Sequence, residues 1–181
     1  MRSDALIEAC AICALAACSQ SASTGKSVDA VNATSGKAAS AQGNVCDRKL
    51  LTSADVAGIL DEAVTGTKPL HGDPQTCYFI SANSDRGGPE LRITLRPGHG
   101  KTTLDSFMSG KMNAYATWKP LAGVGDEAVW LPDLHEIDAR KGDTLCVIGA
   151  PMFMSKALRN AGETAQQQRL GALCNKVFNA L

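Results

Sequence analysis

The chain has 181 residues, and 44% of them are hydrophobic, so it is long enough for one globular domain with an apolar core. It carries 18 Lys and Arg against 18 Asp and Glu, which leaves no net charge. Nucleic-acid binding needs a concentrated basic field, and neither the total charge nor any run of Lys and Arg supplies one. The composition therefore argues against a nucleic-acid partner.

The first part of the chain has the features of an export signal. From Ala5 to Ala17 the sequence is apolar except for one glutamate, which is the length of a signal-peptide core and shorter than the roughly 20 residues of a membrane-spanning helix. The segment ends Leu15-Ala16-Ala17-Cys18, which resembles the lipobox of bacterial lipoproteins. This resemblance implies a signal peptide over residues 1–17, cleavage before Cys18, and a lipid on the Cys18 thiol that anchors the protein to a membrane.

Residues 18–44 are rich in Ser, Ala, Gly and other small or polar residues and contain no aromatic side chain. Such a segment cannot bury enough apolar surface to fold, so we expect a disordered tether with a reach of roughly 28 Å. Ser19, directly after the lipid cysteine, resembles the outer-membrane sorting choice of diderm bacteria. We therefore expect an envelope protein on the outer membrane that faces the periplasm, with the membrane and an envelope protein as its partners.

Residues 45–181 are predicted to form one α+β domain with three helices. Thr52 and Asp55 form a capping box ahead of a helical apolar stripe, and Thr102 and Asp105 begin a second helix in the same way. A third helix is predicted from about Gly162 to Ala180. The predicted buried residues of the second helix are Leu104, Phe107, Met108, Met112 and Tyr115, and those of the third are Leu170, Leu173, Cys174, Val177, Phe178 and Leu181.

Five strands are predicted between these helices, over residues 77–80, 91–96, 128–131, 134–140 and 144–149. The strand from Leu91 to Arg96 alternates cleanly, so its polar side chains Arg92, Thr94 and Arg96 are expected to share a solvated face. Lys141-Gly142-Asp143 is a tight-turn sequence between the last two strands. Short connections favour an antiparallel sheet of about five or six strands with three helices packed on it.

A second resemblance covers most of this domain. The segments Pro120–Trp130 and Ala139–Asp143 look like a pattern in small exported lipoproteins of unknown function, and so do Cys46 before Leu50-Leu51-Thr52 and the pair Cys77-Tyr78. Some relatives of this kind have a PsbP-like α+β fold. Because these are turn and strand motifs, the resemblance implies a fold and no particular activity. Gly123 and Gly125 are expected in a tight turn with positive φ angles.

Outside the predicted leader and the lipid cysteine, four cysteines remain: Cys46, Cys77, Cys146 and Cys174. An even number in an exported domain indicates two disulfides, and three pairings are open. We favour Cys46–Cys77 and Cys146–Cys174, since the second pair would join a strand to the last helix. A structural zinc site usually shows closely paired cysteines, and these four are widely separated.

The residues after the alternating strand offer a candidate anion site. Pro97-Gly98-His99-Gly100-Lys101 lies between a strand and a helix, but the position where a phosphate-binding loop needs its first glycine is Leu95. Arg92, Arg96, His99 and Lys101 remain a possible anion-binding patch. The alternative is an ordinary solvated face.

No catalytic, metal or cofactor motif is evident in the sequence. The histidines His71, His99 and His135 lie in separate segments, without the spacing of metal ligands. Carboxylates at positions 61, 62, 133 and 136 would serve acid–base chemistry only if the fold brought them together. We therefore expect a non-enzymatic binding or accessory module. The alternatives are an exported inhibitor or immunity lipoprotein, or an enzyme without a recognised motif.

Overall fold

The computed structural model describes residues 43–84, 90–111, 117–150 and 156–181. The predicted signal peptide, the lipidation site Cys18 and the tether up to residue 42 lie outside the described residues. So do Met112 and Tyr115 of the second predicted helix. In the described part of the chain, no helix is both long and apolar enough to cross a bilayer.

The secondary structure alternates between helices and groups of strands. In chain order the elements are a 3-10 helix Val45–Arg48, α1 Ser53–Leu60, β1 Val64–Leu70, β2 Asp73–Ser81, β3 Glu90–Pro97, α2 Gly100–Met108, β4 Lys119–Leu121, β5 Glu127–Leu131, a 3-10 helix Pro132–Leu134, β6 Glu136–Lys141, β7 Thr144–Gly149, α3 Lys156–Asn160 and α4 Gly162–Asn179.

The strands form one antiparallel sheet in the order β1-β2-β3-β7-β6-β5-β4. Two meanders, β1 to β3 and β4 to β7, are joined where β3 pairs with β7. The predicted α+β class and antiparallel sheet are confirmed, but within the described residues the sheet has seven strands where five or six were expected. The missed strands β1 and β4 lie at the sheet edges and contain Pro69 and Pro120, which weaken a strand pattern.

One face of the sheet, which we call the closed face, is covered by α1 and α4, and α3 packs against these two helices. Alternate residues of the central strands point to it, and they pack against the apolar stripes of these helices. Trp130 is the largest fully buried side chain of this layer. The layer also contains Leu91, Ile93 and Leu95 of β3, Ile137 and Ala139 of β6, Ile148 of β7, and Leu170 and Val177 of α4.

The opposite face, which we call the open face, is covered by α2 over part of its width. Leu104 and Phe107 of α2 pack with Val129 and Leu131 of β5 and with Leu145 and Val147 of β7. On β3 the residues of this face are polar, namely Arg92, Thr94 and Arg96. The edge of α2 therefore adjoins a polar surface on the sheet.

Two of the three predicted helices are placed correctly. The capping box of α1 is formed, because Thr52 Oγ1 accepts a hydrogen bond from Asp55 N at 3.2 Å and Asp55 Oδ2 accepts one from Thr52 N at 2.7 Å. The long helix α4 spans Gly162–Asn179, close to the prediction. Leu181, expected in its buried stripe, lies beyond the helix and is 53% exposed.

The start of α2 was predicted wrongly. The helix begins at Gly100, two residues before Thr102, and its first N–H groups are bonded by a residue of the β6–β7 turn. Gly98 N and Gly100 N donate to Asp143 O at 2.8 and 3.1 Å, and Lys101 N donates to Asp143 Oδ1 at 3.1 Å. Asp143 therefore takes the place of a local capping residue, and because it is distant in sequence, the capping pattern at Thr102 did not locate the start of the helix. Met108, predicted to be buried, is 43% exposed.

Two turns decide where the neighbouring strands begin. β6 starts at Glu136 and not at residue 134, because residues 132–134 form a 3-10 turn and His135 has a left-handed φ of 47°. Gly123 and Gly125 have positive φ angles of 81° and 57°, as predicted for their turn.

The two favoured cysteine pairs lie close together in space, but only one is bonded. Cys46 and Cys77 form a disulfide with an S–S distance of 2.04 Å. Cys146 and Cys174 face each other from β7 and α4 with their sulfurs 3.6 Å apart, and both are buried free thiols. The second predicted disulfide is therefore not formed in this structure, because the separation is well beyond a bonding distance of about 2.05 Å.

Candidate ligand cleft on the open sheet face

A cleft of about 380 Å³ lies on the open face, between α2 and the strands β2 and β3. Its wall on one side comes from α2 and its floor from the sheet. The lining residues are Leu70, Asp73, Thr76, Arg92, Thr94, Arg96, His99, Thr103, Glu136, Leu145 and Val147. The cleft thus combines charged and hydroxyl groups with three aliphatic side chains, so its lining is more polar than that of most small-molecule sites.

At one end of the cleft, an ion pair crosses an intervening strand. Arg92 on β3 and Glu136 on β6 are both register partners of Gly149 on β7, and the Arg92 guanidinium bonds the Glu136 carboxylate across it. A Cβ at Gly149 would lie 2.9 Å from Glu136 Oε2 and 3.1 Å from Glu136 Cβ. The glycine therefore leaves the space that this ion pair occupies.

The Arg92–Glu136 pair leaves a polar group without a partner. Arg92 Nε is buried and makes no hydrogen bond. Burying an unpaired donor costs free energy, and a ligand acceptor or an ordered water would recover it. This end of the cleft therefore contains a buried donor that no group of the described residues satisfies.

A second carboxyl group, Asp138, lies on β6 two residues beyond Glu136 and on the same face. Its register partners are Val147 and Val129, both of which pack under α2, so the side chain is only 6% exposed. Burial, followed by the charge of Glu136 and a hydrogen bond with that carboxylate, raises the pKa of Asp138 well above its usual range, against the opposing effect of Arg92. Asp138 Oδ1 has no hydrogen-bond partner. The surroundings thus favour a protonated acid here.

The other end of the cleft holds a looser ion pair. Arg96 donates to Asp73 Oδ2 over 3.3 Å, and its side chain is 47% exposed. Thr76 Oγ1 also donates to Asp73 Oδ2 at 2.8 Å, and Gln75 N donates to Asp73 Oδ1 at 2.9 Å. Between the two ends, the hydroxyls of Thr76 and Thr94 bond each other at 2.8 Å.

The carboxylate at this looser end remains ionised. Its partial burial raises the pKa of Asp73, but the hydrogen bonds from Thr76 and Gln75 together with the charge of Arg96 outweigh burial and lower the pKa below its usual value. Each of the two guanidinium groups of the cleft thus faces one carboxyl group, Arg92 with Glu136 and Arg96 with Asp73.

The structure brings together three residues of the predicted anion patch. Arg92, Arg96 and His99 all line the cleft, whereas Lys101 is exposed on α2 and does not. Each arginine is paired with Glu136 or Asp73, so a simple anion would have to compete with a carboxylate already in place. Whether the patch binds an anion stays a prediction.

The sequence predicted that the arginines belong to a binding patch, but it did not predict their acidic partners. Glu136 was one of several scattered carboxylates, and those at positions 61, 62 and 133 do not line the cleft. Glu136 and Asp138 are an even number of residues apart in β6 and therefore share a face of that strand, as Arg92 and Arg96 do in β3. This spacing is the sequence feature that could have indicated the acidic residues of the site. Only the strand order shows that these two faces coincide.

The other predicted candidates lie away from this cleft. His135 Nδ1 is 3.1 Å from Gln166 Oε1, in contact with α4. Among the residues that the structure describes, no three His, Cys, Asp or Glu side chains converge as a possible metal site.

Comparisons with known proteins give no further guide. No protein-family model, curated protein or solved structure matches the chain.

Proposed function

We propose that this protein is a lipid-anchored lipoprotein of the bacterial envelope that acts as a non-enzymatic binding module, with the cleft on the open face as its ligand site. The observation that carries this proposal is the cleft itself. About 380 Å³ of space is lined by two ion pairs, a hydroxyl pair and aliphatic side chains, beside an arginine Nε without a partner.

Two further observations support export and anchoring. The lipobox-like Leu15-Ala16-Ala17-Cys18 supplies the cleavage and lipidation signal. The Cys46–Cys77 disulfide fits an oxidising compartment such as the periplasm. Ser19 favours the outer membrane, so the ligand would be a molecule of the periplasmic space or a group on another envelope protein.

The anchor is tested on the full chain expressed in a diderm bacterium. The wild type is expected in the membrane fraction, with an intact mass that corresponds to a chain starting at Cys18 plus its lipid. Cys18→Ser should remain unlipidated and uncleaved. A wild-type mass without lipid would contradict the anchoring part of the proposal.

The ligand site is tested by native mass spectrometry of the same membrane-extracted protein. We expect a non-covalent small-molecule adduct on the wild type. Thr103→Trp, which places a large ring in the cleft wall, should lose the adduct. The matched control is Thr102→Trp, because Thr102 is the preceding residue of α2, is exposed and does not line the cleft. Absence of an adduct on the wild type, or its persistence in Thr103→Trp, would contradict the assignment of the cleft.

A further inference from the structure

The two ion pairs of the cleft differ in how firmly they are held. At the Arg92 end, the Glu136 side chain is 8% exposed and is fixed against Gly149. At the Arg96 end, a single 3.3 Å contact joins a half-exposed guanidinium to Asp73. Since an exposed ion pair contributes little to stability, the Arg96 end is the one that a ligand can open.

Opening that end leaves one fixed group and one mobile group. Asp73 keeps the hydrogen bonds from Thr76 Oγ1 and Gln75 N, so the carboxylate stays in position without Arg96. The Arg96 guanidinium lies on a long side chain and has free donors for a new acceptor. The opened site therefore consists of a fixed anion beside a movable cation.

Each of these charged groups has an aliphatic neighbour. Leu70 is the register partner of Asp73 across the β1–β2 hairpin, and Leu145 on β7 is the register partner of Arg96. Both leucines line the cleft, and Leu70 is 41% exposed. An apolar group bound beside the two charges would cover this surface.

We propose that the Arg96 end of the cleft binds a small zwitterion with an aliphatic body, its carboxylate on Arg96 and its ammonium group on Asp73. A simple anion would pair with Arg96 and leave the Asp73 carboxylate unpaired next to it. A simple cation would leave Arg96 unpaired in the same way. A zwitterion replaces both partners at once, so no charge is left without a counter-charge. The proposal rests on the cleft being the ligand site of the proposed function.

Leucine and its two single-charge analogues provide a matched set of probes. Leucine carries both charges, 4-methylpentanoate has the carboxylate alone, and 3-methylbutylamine has the ammonium group alone on the same branched chain. In calorimetric titrations of the full chain, leucine should bind at least about tenfold more tightly than either analogue, the effect of one charge-assisted hydrogen bond.

Variants at the two charged positions assign this preference to the cleft. Arg96→Gln and Asp73→Asn should each abolish the higher affinity for leucine. Lys101→Gln should keep it, because Lys101 is a cation next to the cleft that does not belong to its lining. Circular dichroism and the thermal midpoint confirm that each variant is folded. Retention of the preference in both Arg96→Gln and Asp73→Asn would overturn the proposed contacts.

The remaining outcomes separate this inference from the proposed function. Equal affinity for leucine and 4-methylpentanoate would show a simple anion site and overturn the zwitterion. No binding of leucine, together with a native adduct that Thr103→Trp removes, would overturn the zwitterion and leave the cleft as the ligand site. No adduct on the wild type would contradict the proposed function itself.

Discussion

The two faces of the sheet are built from the same strands but are covered very differently. On the closed face, α1, α3 and α4 bury a continuous apolar layer. On the open face, α2 buries a smaller apolar cluster and leaves the polar residues of β3 beside a cleft. Because side chains of a strand alternate between faces, β3 contributes to the core with one set of residues and to the candidate site with the other. The core and the candidate site thus draw on alternate residues of the same strands.

Neighbouring residues of β3 provide the largest expected contrast. Leu95 is 1% exposed on the closed face, and Leu95→Ala should destabilise the fold by about 2–5 kcal/mol because it leaves a cavity in the core. Arg96 points to the open face, and Arg96→Ala should cost about 0–1 kcal/mol, since its ion pair is exposed. Urea unfolding of both variants measures the difference.

Arg96→Ala is a matched comparison for Leu95→Ala, because it truncates a long side chain of the same strand to the same residue. If the two variants lost similar stability, the assignment of Leu95 to the core and of Arg96 to an exposed ion pair would be wrong.

The elements that the sequence predicted well are those whose information is local. The alternation of β3 and the apolar spacing of α4 each specify one buried face, and the capping box of α1 lies within four residues. In contrast, β1 is an edge strand with Gly66 and Pro69, exposed over most of its length, so burial left no pattern in it.

The elements that were predicted wrongly depend on distant contacts. The start of α2 is stabilised by Asp143, which becomes its neighbour only after β6 and β7 have paired. The acidic half of the candidate site has the same origin. Glu136 reaches Arg92 because β7 lies between their strands and has a glycine at the crossing position. Strand order is a global property, so the arginines could be predicted from the sequence but their pairing could not.

A methyl group added at Gly149 tests how much the stability of the fold depends on the Arg92–Glu136 ion pair that spans β7 at this position. Gly149→Ala should destabilise the fold by about 1–3 kcal/mol, because the new Cβ would press on Glu136 and its pairing with Arg92. Gly66→Ala is the matched control on β1, where a Cβ meets no atom within 4 Å, and its effect should stay within about 0.5 kcal/mol. Equal losses of stability for the two substitutions in urea unfolding would show that the Arg92–Glu136 ion pair does not require a glycine at position 149.

The last prediction concerns the pH dependence contributed by Asp138. Burial, followed by the charge and hydrogen bond of Glu136, raises the pKa of this carboxyl above its value of about 3.9 in an unfolded chain. Between the pKa of the unfolded chain and the raised pKa of the folded protein, Asp138 therefore keeps a proton in the folded state that it loses in the unfolded state. The contribution of Asp138 to stability is complete below about pH 4 and declines as the pH rises through the raised pKa, by up to about 1.4 kcal/mol per pH unit.

Asp138→Asn removes this titration while keeping a side chain that can donate to Glu136. Urea unfolding between pH 4 and pH 9 should therefore show a shallower decline of stability with rising pH for the variant than for the wild type. Asp61→Asn, at the exposed end of α1, is the control for the same substitution at another site of the fold. An identical slope for wild type and Asp138→Asn would mean that Asp138 is already ionised in the folded protein. In that case Asp138, which lies outside the cleft lining, would place a second negative charge next to Glu136 and within the field of Arg92.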